Sequence, residues 1–205
     1  GMARKNQPGI IVVDRTVPGN WENYVTPEQA IPEHPLDIPW ESCITMGNSF
    51  SYVPNDQYKP TKQLVETLVK IISRGGNYLL NIAPGPNGDF DPAAYDRLGE
   101  LSTWMDVNGD AVFGTRAIAP YHEGDYYYTK SKDGQVLNVF HLADGDSYAA
   151  PASYAFTVPA DFQVKQVNIL GYKGKVNWSK TGNTVTVRKP NAKLLFATAI
   201  QLQRK

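Results

Sequence analysis

Six carboxylates fall within residues 14–41, namely Asp14, Glu22, Glu28, Glu33, Asp37 and Glu41, with Arg15 and the aromatic residues Trp21, Tyr24 and Trp40 set among them. A carboxyl group does acid chemistry, protonating a leaving oxygen, when it is held in place and partly withdrawn from water. A loop acid chosen at random is simply solvated. Glu28 is set apart by the Thr26-Pro27 that precedes it. Proline fixes its own φ and turns the residue before it away from helix, so this carboxylate sits on a stiff turn. Arg15 suits two roles equally from its spacing: an ion pair with a neighbouring acid, or two parallel hydrogen bonds to vicinal hydroxyls.

Other chemistries find less support. His34, His122 and His141 share no metal-ligand spacing, so no metal is expected and each reads as a surface or packing residue. There is no Gly-x-Ser-x-Gly elbow, and Cys43 falls inside a predicted strand, where it reads as an inert buried thiol. Gly85-Pro86-Asn87-Gly88 lacks the lysine of a phosphate loop and reads as a turn, and no cofactor is implied.

The elements that must position these residues follow from periodicity. Residues 10–13 form a β-branched block without polar alternation, as in a parallel strand covered on both faces, and the loop beyond it holds Asp14, Arg15, Trp21, Glu22 and Glu28. In parallel α/β folds, ligands bind beyond the carboxyl ends of the strands, which makes residues 12–28 a candidate active-site rim. Residues 30–39 carry three prolines and cannot be regular. Residues 40–46 predict a second strand and 77–82 a third. Between them, residues 61–73 predict an amphipathic helix with Thr61 as N-cap, an apolar face of Leu64, Leu68, Ile71 and Ile72, and a stop at Gly75-Gly76. A further helix over 91–108 has Asp91 as N-cap, Pro92 at its first position and Gly109 after its end. From about residue 111 the texture changes to short strands separated by turn sequences. Strands are predicted over 125–129, 135–141, 154–158, 164–170, 176–179, 184–188 and 194–202, an antiparallel β-sandwich. The run Tyr126-Tyr127-Tyr128 reads as an ordinary half-buried strand, because alternate residues face opposite sides.

The totals agree with two modest cores. The chain has 205 residues, 41% of them hydrophobic, and 20 basic against 20 acidic side chains. Zero net charge disfavours a general attraction to nucleic acid or anionic lipid. One cysteine excludes an internal disulfide, and no apolar run of about eighteen residues suggests a membrane span. Gly1 before Met2 reads as an expression scar, and the polar residues after it do not make a secretory signal.

Five segments, taken in order, carry a family likeness. Asp14-Arg15 followed by Tyr24-Val25-Thr26-Pro27-Glu28, then Pro39-Trp40-Glu41-Ser42-Cys43, Gly47-Asn48-Ser49-Phe50-Ser51-Tyr52 and Ser73-Arg74-Gly75-Gly76-Asn77-Tyr78-Leu79-Leu80-Asn81-Ile82 resemble the later catalytic-domain motifs of the family-29 glycoside hydrolases, the α-L-fucosidases. The resemblance covers roughly residues 9–115, with a β-sandwich also in its expected place. It implies an α/β plus all-β architecture: residues 1–112 as the C-terminal part of a (β/α) TIM-barrel catalytic domain and 113–205 as a C-terminal β-sandwich domain. It implies a retaining hydrolase acting on terminal α-L-fucose of oligosaccharides and glycoconjugates, without a cofactor. By resemblance Glu28 matches the general acid/base, Arg15 an arginine that hydrogen-bonds the sugar, and Phe50 the aromatic against the C5 methyl group of fucose. Ser51 replaces a common glycine.

The family's nucleophile belongs to earlier barrel strands, so the resemblance implies that these 205 residues alone are inactive. Retention needs a second carboxylate about 5 Å from the acid/base. It further implies an open barrel edge that invites a chain supplying the other half, or self-association. A typical family member is periplasmic, secreted or lysosomal. The alternative reading is a non-catalytic carbohydrate-binding or assembly module that uses sandwich aromatics such as Tyr127 or Trp178.

Overall fold

The computed structural model describes residues 2–15, 19–192 and 194–205; Gly1 and residues 16–18 of the rim loop, for which expectations were stated, lie outside them. The chain begins with a short exposed helix, α1 (Met2–Asn6), and continues through β1 (Glu41–Thr45), α2 (Thr61–Ser73), β2 (Asn77–Asn81) and α3 (Pro92–Val112). Eight strands follow: β3 (Thr115–Glu123), β4 (Tyr126–Ser131), β5 (Val136–His141), β6 (Ser153–Thr157), β7 (Val164–Ile169), β8 (Trp178–Thr181), β9 (Thr184–Arg188) and β10 (Thr198–Arg204). The result is a partial (β/α)-barrel segment joined to an antiparallel β-sandwich. No helix among the described residues is long and apolar enough to cross a membrane.

The barrel segment is a parallel strip. β1 and β2 pair in parallel from Glu41↔Asn77 to Thr45↔Asn81, and single parallel bridges extend the strip through Glu28↔Cys43, Val25↔Trp40 and Val13↔Tyr24. Its spatial order is therefore residues 12–13, 24–28, β1 and β2. Alternation decides what each face meets. Trp40, Ile44 and Tyr78 pack with Ile71 of α2, while Met46, Leu80 and Ile82 pack with Leu64 and with Ala94 and Leu98 of α3. That face is covered by helices; Leu79, pointing the other way, is 47% exposed.

The sandwich sets a five-stranded sheet, β3-β4-β5-β10-β7, against a three-stranded one, β6-β9-β8. Between them lies the largest core, including Tyr128, Val139, Tyr154, Phe156, Val185 and Ile200. The outer face of the five-stranded sheet is not exposed: Phe140, Ala199 and Leu142 pack against Val65 and Val69 of α2 and Trp104, Ala111 and Val112 of α3. Two-sided cover explains why five consecutive residues of β5, Leu137 to His141, are all buried. Polar groups caught in this layer are paired, as where Asn138 Nδ2 donates to Thr129 Oγ1 at 3.1 Å and Thr129 Oγ1 donates to the Ala111 carbonyl at 3.2 Å.

Five expectations are corrected. Residues 10–13 do not form a strand covered on both faces: only Val13 is bridged, and Ile11 is 71% exposed. Their β-branched composition is met by one neighbouring segment rather than two. Thr61 is not the N-cap of α2, since Pro60 holds that position and the Thr61 hydroxyl instead bonds to Glu100. Gly109 does not end α3, which runs on to Val112 because Ala111 and Val112 are buried against the sheet, and burial outweighs the modest helix cost of glycine. An unforeseen strand, β3, contains Pro120, which is tolerated because β3 is an edge of its sheet and its register breaks between Ala117 and His122. Cys43 is half-buried rather than buried, because its side of β1 is the uncovered one.

Candidate active site

The carboxyl ends of the strip gather the residues with chemical potential. Residues 24–28 run beside β1, with Cys43 N–H donating to the Pro27 carbonyl at 3.0 Å and Gln29 N–H donating to the Cys43 carbonyl at 2.9 Å. These bonds fix the turn on which Glu28 stands, level with Cys43. Gln29 is in the left-handed region (φ 51°), and its side chain is held from both ends: Nε2 donates to Thr45 Oγ1 at 3.0 Å and Oε1 accepts from Thr45 N–H at 3.3 Å. The backbone reversal after Glu28 is thus tied to the last residue of β1.

Arg15 and Glu28, thirteen residues apart, meet in an ion pair between Nη1 and Oε2. Each side chain is about half exposed, 47% and 48%, so the pair is solvated and organises the site more than it stabilises the fold. The hydrogen bond to Glu28 raises the Arg15 guanidinium above its usual value, opposed by desolvation and supported by the charges of Glu28, Cys43 and Asp14. Of the two roles open to Arg15, the ion pair is the one seen among the described residues.

Phe50 is 39% exposed and lies on the loop after β1, and among the described residues no hydrogen bond joins it to the Arg15–Glu28 pair. That loop is firmly rooted. Lys59 Nζ donates to the Thr45 carbonyl at 2.6 Å and the Gly47 carbonyl at 2.9 Å, while the Asp56 carboxylate accepts the Asn48 N–H at 3.0 Å. Burial lowers the Lys59 ammonium, with Asp56 opposing. A Cβ at Gly47 would fall 2.1 Å from Asp56 Oδ2, so the carboxylate occupies space that only glycine leaves free.

Trp21 is exposed, and Glu22 is spent locally, accepting from Gly19 N–H at 3.0 Å. Glu41 lies at the opposite, amino end of β1. Asp14, partly buried, accepts from Thr26 through Oδ1. Sequence reasoning placed Asp14 in the candidate rim without assigning it a partner and missed Gln29, Lys59 and Asp56 altogether. Only an Asp-to-Thr pairing preference pointed to the first, and nothing local pointed to contacts spanning 8 to 16 residues. In the sandwich, Tyr127 stacks on His122 with centroids 5.4 Å apart and lies under the Arg74 guanidinium at 5.8 Å, while Trp178 packs against the main core. Both rings are engaged in packing.

Comparison with known proteins gives this geometry a context. The family model described as Alpha-L-fucosidase matches residues 1–110. The alpha-L-fucosidase of Branchiostoma floridae is 28% identical over 161 residues, which is 75% of this chain but 34% of that protein. The alpha-L-fucosidase of Dictyostelium discoideum is 31% identical over 114 residues, or 51% of this chain and 24% of that one. Among solved structures, alpha-L-fucosidase isoenzyme 1 from Paenibacillus thiaminolyticus superposes with a TM-score of 0.83 at 29% identity, covering 100% of this chain and 52% of that chain. An alpha-L-fucosidase from Bacteroides thetaiotaomicron, at 21% identity and a TM-score of 0.79, shares the fold over 100% of this chain and 50% of its own. The chain therefore spans about a third of the first of these relatives and about half of each solved structure.

Proposed function

The chain belongs to the alpha-L-fucosidase family, and from that premise we propose that it is the C-terminal part of a retaining α-L-fucosidase that removes terminal α-L-fucose from glycoconjugates. Glu28 is the general acid/base. Its carboxyl gives a proton to the glycosidic oxygen as the bond to the anomeric carbon breaks, while a carboxylate from the other barrel half bonds to that carbon. Glu28, now ionised, then takes a proton from the water that attacks the anomeric carbon, as the bond between that carbon and the carboxylate breaks and the sugar is released. Arg15 holds Glu28 and bonds the sugar hydroxyls, and Phe50 lies against the C5 methyl group.

The observation that carries this reading is the Arg15–Glu28 pair at the carboxyl ends of the parallel strip, on the face that the helices do not cover. A carboxyl acting as an acid has to be partly withdrawn from water. Here the pair is half exposed, so a complementary barrel half, on the same polypeptide or another chain, has to close the site. The reading keeps residues 1–112 as the barrel part and 113–205 as the sandwich domain. Supporting that division, α3 ends at Val112 and β3 begins at Thr115, although both parts share the core beneath α2 and α3.

The test is turnover of an aryl α-L-fucoside by the purified 205-residue chain, with and without an N-terminal barrel half from a family member. Negligible turnover alone, restored by the added half and lost again in Glu28→Gln, is expected. Turnover by the isolated chain would overturn the requirement for a second half; full activity in restored Glu28→Gln would overturn the role of Glu28.

A further inference from the structure

Two consecutive residues grip the Thr26-Pro27-Glu28 turn from opposite ends. Arg15 holds its last side chain, and Asp14 holds its first residue: Asp14 Oδ1 accepts both the Thr26 N–H and the Thr26 hydroxyl, each at 3.0 Å. On its other side the turn is fixed to β1 through the Pro27 carbonyl and the Gln29 N–H. With Pro27 stiff, anchoring Thr26 and Gln29 fixes where the Glu28 side chain leaves the backbone, and Arg15 holds its carboxylate end. Asp14 shares its rim with Glu28, where a further carboxylate invites a role as a reacting group. Its accepting oxygen is instead committed twice to Thr26.

We propose that Asp14 is a positioning residue that aims Glu28 through Thr26 and takes no part in bond-making itself. The inference rests on the reading of Glu28 as proton donor. The contact needs an accepting oxygen and not a charge, so an amide should serve in its place.

Amide hydrogen exchange on the 205-residue chain reads the contact without any turnover. Asp14→Ala should speed exchange at the Thr26 amide by up to about tenfold, the ratio one hydrogen bond of ordinary net strength commands, and should abolish the nuclear Overhauser contact between the Arg15 guanidinium and the Glu28 methylenes. Asp14→Asn should preserve both. Thr26→Val, which keeps the amide and drops the hydroxyl, serves if Asp14→Ala fails to fold, and should weaken the Arg15–Glu28 contact. In the enzyme completed with a barrel half, Asp14→Ala should lower kcat with little change in KM, and Asp14→Asn should restore it. Unchanged Thr26 exchange in Asp14→Ala would overturn the contact. Loss of kcat in Asp14→Asn as deep as in Glu28→Gln would overturn the positioning role, because the carboxylate itself would then be reacting. If no turnover is obtained at all, the fucosidase reading fails while the exchange arm still decides the contact.

Discussion

In the five-stranded sheet of the sandwich, Val139 and Ile200 face one core while their neighbours Phe140 and Ala199 face another, so the sheet is packed on both sides. The parallel strip is packed on one side only. Ile44 and Leu80 lie beneath α2 and α3, but Cys43, Leu79 and Glu28 look outward. The two regions use the same strand alternation and differ in what covers the second face. Stability is concentrated where both faces are buried, and the residues with reactive side chains are where one face is left open.

The sharpest way to break this contrast is truncation on each side of it. Phe140→Ala removes a fully buried ring that packs on Trp104, and about 3–5 kcal/mol of unfolding free energy should be lost in a denaturant titration. Leu79→Ala, on the open face, should stay within about 0.5 kcal/mol of the parent. A large loss there would mean that the face is covered in solution. Gly76→Ala should be intermediate, costing about 1–3 kcal/mol by overpacking. Its new Cβ would lie 2.4 Å from the ring of Trp40, a buried side chain on the covered face of the strip.

Acid should discriminate the two regions as well. Burial holds His141 below its ordinary value of 6.5, with Asp125 opposing, among the rings of Tyr126, Tyr148 and Tyr154. The unfolded chain takes up this proton more readily than the folded one. The stability linked to His141 is therefore present above pH 6.5 and is lost as pH falls toward the lowered folded value. Thermal unfolding across that window should show a slope that His141→Gln flattens. The smallest effect is expected from Glu28→Gln, whose unfolding midpoint should match the parent because its ion pair is solvated.

How much could be read in advance follows the same division. The span of α2 was legible from its apolar spacing and the Gly75-Gly76 stop, but its cap is Pro60 rather than Thr61, and Val65 and Val69 are buried with Leu64 and Ile71 while Leu68 and Ile72 are only partly covered. The sandwich strands were legible from turn sequences, but β3 was hidden by Pro120, which an edge tolerates and a sequence pattern penalises. The end of α3 was misjudged because Gly109 is a local stop signal, while the burial of Ala111 and Val112 is a tertiary fact. At the site, the Thr26-Pro27 turn made Glu28 stand out, and its meeting with Arg15 was one of two spacing-compatible outcomes. The clamps through Asp14, Gln29, Asp56 and Lys59 join segments whose adjacency exists only in the fold.

The central claim is that Glu28 supplies the proton to the leaving group, and the most direct measurement compares two substrates in the chain completed with a barrel half. A fucoside with a good leaving group, such as dinitrophenolate, needs little protonation; one with an alkyl alcohol needs it fully. Glu28→Gln should therefore lose far more glycosylation rate on the alkyl fucoside than on the dinitrophenyl one. Equal losses on both, or none on either, would contradict the account.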